Sequence, residues 1–228
     1  MAKPRVDHPA PFHPRILDAV AELLLRHGLT GGNLIDPFAG IGRVTTLKDR
    51  GFTGAIVCNE LEPEWAKAIQ GADFVRVGDA RQLPQEWTRR FDLAVTSPTY
   101  GNRMADHHNA KDGSRRITYR HRLGRPLTLG NTGQLQWGWE YRALHEQAWA
   151  ELDRVVRTAI VLNVKDHIRA GQAVPVTDWH VQAFQVLDWR VVERVRVPVD
   201  GMGFGANRSL RVEYENVILL TRKWVGSP

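Results

Sequence analysis

Apolar residues recur along the first half of the chain in two alternating patterns, and together these patterns predict an α/β fold. From Arg15 to Arg26 the apolar positions follow helical spacing, and Gly28 closes the segment. Four short apolar runs, each ended by polar or glycine residues, then predict strands at Asn33–Asp36, Ala55–Asn59, Phe74–Val77 and Phe91–Thr96. Segments that can be helical lie between them at Val44–Arg50 and Pro63–Ile69. Strands that alternate with helices favour a parallel sheet with right-handed crossovers.

The second half of the chain predicts how the sheet ends. A helix is expected at Trp139–Val156 and a buried strand at Thr158–Val164. Two β-rich runs, Val191–Val199 and Val212–Arg222, are joined by a glycine-rich connection, which is typical of an antiparallel hairpin. The chain therefore predicts a mostly parallel, seven-stranded sheet that ends in an antiparallel hairpin, with helices on both faces.

The segment Asn102–Gly138 differs from the rest because it lacks apolar periodicity and carries many basic residues. We expect a single domain over residues 1–228, with this basic insertion at about 102–138 as the substrate-recognition segment. A chain of 228 residues is long enough for one α/β domain with a large core.

Bulk composition narrows the class of protein. With 43% hydrophobic and 25% charged residues the chain resembles an ordinary soluble domain, and it has no apolar run long enough to span a membrane. No secretory signal is visible at the start, and one cysteine suits a reducing cytosol, so a cytoplasmic location is expected. A net charge of +6 fits a polyanionic partner.

A glycine-rich loop, Asp36-Pro37-Phe38-Ala39-Gly40-Ile41-Gly42, follows the first predicted strand. Glycines let the backbone approach a ligand closely. The third glycine of the dinucleotide fingerprint is absent, and so is the Gly-Lys-Ser/Thr of a phosphate-binding loop. The Asp36 carboxylate suits a ligand with a cationic amino-acid end better than it suits a phosphate.

Two further acids follow the next two strands. Glu60 has the position of an acceptor for ribose hydroxyls, and Asp79 could accept a hydrogen bond from an adenine amino group. Taken singly, such acids are often helix N-caps. Three acids at successive strand ends, together with the glycine loop, favour a binding site.

Ser97-Pro98-Thr99-Tyr100 directly follows the fourth strand. An exocyclic base amine is a poor nucleophile because its lone pair is delocalised into the ring. Hydrogen bonds from that amine to the Ser97 hydroxyl and the Pro98 carbonyl would localise the lone pair, and Tyr100 could stack on a base turned out of its helix. Alone, the same residues could form a simple turn.

These motifs resemble the amino-methyltransferase superfamily of class I S-adenosylmethionine-dependent methyltransferases. The glycine loop is similar to its cofactor motif, and Ser97–Tyr100 to its catalytic (Ser/Asp/Asn)-Pro-Pro-Tyr motif. The segment His8–His13 and the run Glu215–Lys223 are similar to the segment over the cofactor's methionine end and to the last strand. Thr99 departs from the usual second proline, and the recognition domain of sequence-specific DNA members is missing.

The resemblance implies a Rossmann-like methyltransferase fold, S-adenosylmethionine as cofactor, and Ser97, Pro98 and Tyr100 as catalytic residues. The cofactor-binding residues it implies are Phe12, Asp36, Pro37, Phe38, Gly40, Gly42, Glu60, Asp79 and Ala80.

The resemblance favours DNA over RNA as the substrate, with cytosine N4 slightly ahead of adenine N6. Against this, Tyr100-Gly101-Asn102-Arg103 is similar to a continuation found in RNA guanine-N2 enzymes. Methylation at carbon 5 of cytosine needs a thiolate, and Cys58 lies inside an apolar strand where buried packing is expected. A homologue that keeps the cofactor but has lost activity stays an alternative, with Thr99 as the only feature in its favour.

The basic insertion supplies the predicted nucleic-acid contacts: Arg103, Lys111, Arg115, Arg116, Tyr119, Arg120 and Arg122. The basic side chains would neutralise phosphates, and Tyr119 offers a stacking face. The alternative is a solvated loop. Asp106, His107 and His108 have no second ligand pair at a credible spacing, so no metal site is predicted.

Two interpretations apply to several other positions. Trp137 and Trp139 could pack or contact substrate, and Lys165 or Asp166 could do so or form a surface ion pair. Asn207-Arg208 is a weaker candidate of the same kind. We expect a monomer or homodimer, and compactness would suit a nucleic-acid modification enzyme of a bacterium or phage.

Overall fold

The computed structural model describes residues 8, 10–101, 118–199, 210 and 212–222. Within them, the α-helices are α1 (Pro14–Arg26), α2 (Pro63–Ala66), α3 (Tyr119–Leu123), α4 (Trp139–Val155) and α5 (Val176–Val186). The strands are β1 (Asn33–Asp36), β2 (Ala55–Glu60), β3 (Phe74–Val77), β4 (Phe91–Thr96), β5 (Val156–Val164), β6 (His167–Arg169), β7 (Gln172–Val174), β8 (Trp189–Pro198) and β9 (Tyr214–Arg222). Short 3₁₀ helices form at Arg43–Arg50, Gln85–Trp87 and Thr132–Gln134.

Seven strands form one sheet in the order β3-β2-β1-β4-β5-β9-β8. Strands β1 to β5 are parallel to one another, whereas β9 runs antiparallel to both β5 and β8. The predicted fold is therefore confirmed: a mostly parallel seven-stranded sheet whose end is an antiparallel pair.

The core lies on both faces of this sheet, and the central strand β5 shows why. Its residues alternate between the two sides, with Ala159 and Val161 in one cluster and Ile160 and Leu162 in the other. The first cluster contains the apolar stripe of α1, and the second contains side chains of α4 and α5. A parallel strand covered on both faces is a continuous apolar run, as observed here.

Two local expectations differ in detail from the structure. The Val44–Arg50 segment is a 3₁₀ helix that begins at Arg43, and the helix expected over Pro63–Ile69 is the single turn α2. The β6–β7 hairpin and α5 were not predicted. The start of α5 is held by a residue distant in sequence, because the Asp166 carboxylate accepts a hydrogen bond from the Thr177 N–H.

The sheet topology places a crevice at the carboxyl ends of the strands. The chain passes outward from β1 to β2 and β3, and then returns to the other side of β1 as β4. Open α/β sheets bind ligands at such a switch point. Of the helices in the described ranges, none has both the length and the hydropathy needed to cross a membrane.

Candidate active site

A cleft of about 1040 Å³, including its open mouth, lies at this switch point. Its walls come from the segments that follow β1, β2, β3 and β4, and from the segment around α3. Most predicted site residues line it: Phe12, Pro37, Phe38, Gly40, Glu60, Asp79, Ala80, Ser97, Pro98, Tyr100 and Tyr119. Thus the fold brings the two motifs, which follow the adjacent strands β1 and β4, into one cleft.

Asp36 and Gly42 are corrections, since neither lines the cleft. Asp36 is fully buried beneath the wall, where Oδ1 accepts hydrogen bonds from the Phe38 N–H at 3.1 Å and from the Thr96 hydroxyl at 2.9 Å. Burial raises the pKa of Asp36 to about 7. Gly42 has a φ of +74°, and a Cβ there would lie 2.5 Å from the Ile69 side chain. Both residues therefore stabilise the conformation of the glycine loop without lining the cleft.

Gly40 and Glu60 both line the cleft and are joined by a hydrogen bond. The Gly40 N–H donates to Glu60 Oε2 at 2.7 Å, and the Glu62 N–H donates to Glu60 Oε1 at 2.8 Å. Gly40 has a φ of +55°, which suits glycine, and a Cβ there would lie 3.1 Å from the His8 ring. Burial raises the pKa of Glu60 to about 8 despite these hydrogen bonds. The carboxyl group is therefore fixed in place and poised to titrate near neutrality.

Asp79 lies on the adjacent wall, beside the buried Ala80. Its carboxylate accepts hydrogen bonds from the Arg81 backbone and guanidinium, the backbone bond measuring 2.8 Å. Burial raises the pKa of Asp79, but the hydrogen bonds and charge of Arg81 outweigh it, so the pKa lies below its ordinary value. Asp79 is thus an ionised acceptor, unlike Glu60.

The Ser97–Tyr100 turn continues directly from β4 and lines the same cleft as the glycine loop. Ser97 Oγ lies 3.2 Å from Tyr100 Oη, which donates to Glu215 Oε2 at 3.0 Å. Asn163 Nδ2 lies 3.2 Å from Ser97 Oγ, 3.0 Å from Tyr100 Oη and 2.8 Å from Glu215 Oε2. These four side chains form what we call the Ser97 cluster.

A second polar chain holds the Thr99 carbonyl. The Trp149 indole N–H donates to His180 Nδ1 at 3.1 Å. Neutral His180 therefore carries its proton on Nε2 and donates it to Tyr141 Oη at 2.9 Å, and the Tyr141 hydroxyl donates to the Thr99 carbonyl at 2.5 Å. Burial, and then the nearby His145, lower the pKa of His180 well below its ordinary value, which keeps the ring neutral. This series of hydrogen bonds holds the turn at Thr99. In the motif that Ser97–Tyr100 resembles, this position is the second proline.

The described part of the basic insertion, residues 118–138, contributes to the walls of the cleft. Glu62 is fully buried and accepts hydrogen bonds from Arg125 at 2.7 Å, the Thr128 N–H at 2.8 Å and Asn131 at 2.7 Å. Asn131 also lines the cleft. This segment is therefore tied to the end of β2, and Arg125 is engaged in an internal ion pair.

Tyr119 is only 6% exposed. Its ring lies 6.3 Å from Trp65 and 5.8 Å from His8, measured between centroids, and all three line the cleft. Tyr119, predicted as a stacking face on the basic insertion, thus forms part of an aromatic wall inside the cleft. Arg120 and Arg122 are exposed on α3.

Some predicted residues lie outside the described part of the chain: Arg103, Lys111, Arg115, Arg116, Asp106, His107, His108, Asn207 and Arg208. Others have packing roles. Trp137 contacts the rings of Tyr141 and Trp179, and Cys58 is buried in β2 as expected. Neither Lys165 nor Asp166 lines the cleft. Trp139 is 72% exposed.

Sequence reasoning missed four site residues: Tyr141, Asn163, His180 and Glu215. The available signals were weak. Asn163 interrupts the apolar run of β5, and Glu215 is a charged residue just before the apolar part of β9. Each meets the Ser97–Tyr100 turn only after the chain has folded, so spacing along the sequence does not identify its partner.

No protein-family model matches the sequence, and no curated protein matches it at a significant level. Solved structures do resemble it in fold. A candidate RNA methyltransferase from Pyrococcus horikoshii is 13% identical, with a TM-score of 0.55, and the match covers 97% of this chain and 92% of that one.

Two further structures are magnesium protoporphyrin IX methyltransferase from Synechocystis PCC 6803 with bound S-adenosylhomocysteine, and a didemethyltoxoflavin N-methyltransferase from Burkholderia thailandensis with the same ligand. The first is 9% identical with a TM-score of 0.55, covering 91% of this chain and 81% of that one. The second is 16% identical with a TM-score of 0.51, covering 91% and 78%. At these identities the likeness concerns the fold, which is that of the Rossmann-like methyltransferases.

Proposed function

We propose that this protein transfers a methyl group from S-adenosylmethionine to an exocyclic amino group of a nucleic-acid base. One observation carries the proposal: Ser97 and Pro98 line the same cleft as Gly40, Glu60 and Asp79. An amine-binding turn and a set of strand-end acids thus line one cleft at the switch point of the sheet.

The cofactor half of the cleft suits S-adenosylmethionine. Glu60 would accept hydrogen bonds from the ribose hydroxyls, and ionised Asp79 would accept one from the adenine amino group. The glycine loop would approach the methionine end, with Phe12 covering it. Two structures with the same fold contain the demethylated cofactor, which supports this assignment.

The opposite half suits an exocyclic amine. The Ser97 hydroxyl and the Pro98 carbonyl would accept hydrogen bonds from its two N–H groups, which localises the lone pair on nitrogen. A bound S-adenosylmethionine would supply an electrophilic methyl group. The turn would position the amine nitrogen for in-line attack, so that the carbon–nitrogen bond forms as the carbon–sulfur bond breaks, S-adenosylhomocysteine leaves and the nitrogen loses one proton to solvent. This positioning would be the main catalytic contribution of the protein.

A nucleic-acid substrate is supported by the charge distribution. The net charge is +6, and exposed Arg120 and Arg122 lie on α3, next to the part of the cleft that Tyr119 lines. Basic residues beside a base-sized cleft would bind phosphates while one base enters it. We favour DNA, with cytosine N4 ahead of adenine N6. RNA is the second candidate, on the Tyr100-Gly101-Asn102-Arg103 sequence and the fold of the Pyrococcus horikoshii protein.

The test is to incubate the protein with tritiated S-adenosylmethionine and with DNA or RNA of mixed sequence, and then to identify the methylated nucleoside by mass spectrometry. We expect N4-methylcytosine or N6-methyladenine from DNA. N2-methylguanine from RNA would reassign the polymer. Cofactor binding without transfer to either polymer would contradict the proposal.

A further inference from the structure

We infer that Glu215 is a positioning residue that, through Tyr100, makes the Ser97 oxygen a hydrogen-bond acceptor toward the cleft. The inference rests on the proposed function, since the orientation of this hydroxyl matters only where an amine binds beside it. Glu215 lies in β9, 115 residues from its partner Tyr100 in sequence.

Donor and acceptor counting fixes the direction of the hydrogen bonds in the Ser97 cluster. An ionised Glu215 carboxylate can only accept, so the single Tyr100 hydroxyl proton, 3.0 Å away, is donated to it. Asn163 Nδ2 can only donate, and its contact of 2.8 Å with Glu215 adds a second hydrogen bond to the same carboxylate oxygen. The acceptor end of the cluster is therefore Glu215.

The direction of the Tyr100–Glu215 hydrogen bond determines the direction of the hydrogen bond between Ser97 and Tyr100. Because the Tyr100 proton is committed to Glu215, a lone pair of Tyr100 Oη faces Ser97 Oγ at 3.2 Å. The Ser97 hydroxyl then donates inward to Tyr100. An Asn163 N–H, 3.2 Å from Ser97 Oγ, takes up one lone pair of this oxygen, and the other is left for the cleft that Ser97 lines. A hydroxyl in this orientation accepts from an amine N–H. If its proton instead pointed into the cleft, it would oppose that N–H.

The location of Glu215 supports this role. Strand β9 is antiparallel to β5, and the pairing of Asn216 with Val164 brings Glu215 to the carboxyl end of β5, beside Asn163. Its neighbour Glu213 is exposed, and no hydrogen bond of its side chain to another described residue is present. Glu213 is therefore a matched control with the same charge, close by on the same segment.

The kinetic test compares Glu215→Leu, Glu215→Gln and Glu213→Leu, with saturating S-adenosylmethionine and the nucleic acid that the wild-type protein methylates. We expect Glu215→Leu to lower kcat about tenfold with KM for the cofactor unchanged. Glu215→Gln should recover most of this loss, because its amide oxygen can accept from both Tyr100 and Asn163. Glu213→Leu should turn over like the wild type.

A double-mutant cycle tests whether Glu215 acts through Tyr100. Tyr100→Phe keeps the ring but removes the hydroxyl oxygen, so Ser97 loses its inward acceptor. Adding Glu215→Leu to Tyr100→Phe should then lower kcat less than twofold further, because the relay is already broken. Full additivity of the two losses would overturn the inference.

A second measurement does not need activity. Burial and then the charge of Glu215 raise the pKa of Tyr100 well above its ordinary value. Nuclear magnetic resonance of protein labelled with carbon-13 at the hydroxyl-bearing tyrosine carbon follows this titration, with Tyr100→Phe giving the assignment among four tyrosines. We expect Glu215→Gln to lower the pKa of Tyr100, and Glu213→Gln to leave it in place.

The outcomes separate this inference from the proposed function. A wild-type protein that transfers no methyl group contradicts the function, and the resonance titration still decides whether the relay exists. Methyl transfer by the wild type with an unimpaired Glu215→Leu variant, or an unmoved Tyr100 pKa in Glu215→Gln, overturns the inference alone. Should Glu215→Leu fail to fold, the titration of Glu215→Gln decides.

Discussion

The two halves of the cleft are held together in different ways. In the cofactor half, Glu60 accepts hydrogen bonds from the backbone of Gly40 and Glu62, and Asp79 is paired with Arg81 two residues on. In the amine half, the Ser97–Tyr100 turn depends on the distant side chains of Tyr141, Asn163 and Glu215. The carboxyl groups of Glu60 and Asp79 are thus held by backbone N–H groups and a near neighbour, whereas the turn is held by long-range side-chain contacts.

Mutations in the two halves should therefore affect different quantities. Changes in the cofactor half should alter affinity for S-adenosylmethionine, and changes in the amine half should alter turnover.

The largest expected effect is that of Ser97→Ala. Loss of the acceptor for the amine N–H should lower kcat on the order of 100-fold, as found for the removal of one preorganised hydrogen-bonding group in other active sites. Affinity for S-adenosylmethionine should stay within about twofold of the wild type, since the change lies in the amine half. Single-turnover assays and calorimetry measure the two quantities. An equal loss of both would break the separation.

The next effect concerns pH and the cofactor half. The pKa of Glu60 is raised to about 8, so the free protein holds this proton at neutral pH, whereas a carboxylate accepts ribose hydroxyls best when ionised. Binding then releases the proton, and affinity should rise up to about tenfold per pH unit until about pH 8.

Calorimetry from about pH 6 to about pH 9 in buffers of different ionisation heat measures this proton release. Glu60→Gln should bind more weakly at high pH and lose most of the dependence between pH 7 and pH 8. The amino group of the ligand titrates with both proteins, so the difference between them isolates Glu60. Identical pH profiles would contradict the assigned role.

A smaller effect is expected from Tyr141→Phe, which leaves the Thr99 carbonyl and the His180 N–H without their buried partner. The unfolding free energy should fall by about 1–3 kcal/mol. The loosened turn should lower kcat roughly tenfold, equivalent to ~1.4 kcal/mol of barrier, with cofactor affinity retained. Thermal unfolding and kinetics check both, and an unchanged kcat would show that the Thr99 contact does not position the turn.

The smallest effect should be that of Thr99→Val. The Thr99 hydroxyl is buried and finds no hydrogen-bond partner among the described residues, and Tyr141 contacts the carbonyl, which valine keeps. We expect kcat within about twofold of the wild type and a neutral or slightly higher stability. A large loss of turnover would show that the hydroxyl itself takes part in the amine half.

The sequence predicts the scaffold and most of the residues that line the cleft after β1, β2 and β3, because both depend on local patterns. The strands Asn33–Asp36, Phe74–Val77 and Phe91–Thr96 have the bounds that their apolar runs predict. The glycine loop and the acids Glu60 and Asp79 lie at successive strand ends, which topology alone brings to one edge of the sheet.

The supports of the amine half could not be predicted in the same way. Glu215 and Asn163 meet Tyr100 only through the antiparallel pairing of β5 and β9. The contact of Tyr141 with Thr99 needs α4 to pack at one particular height beneath the turn. Periodicity gives the buried face of an element, but it does not say which distant polar atom that face will meet.

The buried carboxylate of Glu62 has a consequence for protein engineering. Arg125, Thr128 and Asn131 all donate hydrogen bonds to this carboxylate, and the Glu62 N–H donates one to Glu60. Residues 125–131 are therefore linked to Glu60 through Glu62. Gly101 is also anchored, since its carbonyl accepts the Trp137 N–H at 2.7 Å. An exchange of residues 118–138 for another sequence would therefore have to keep Arg125, Thr128 and Asn131, because their loss would leave the Glu62 carboxylate buried without these partners and disturb Glu60 as well.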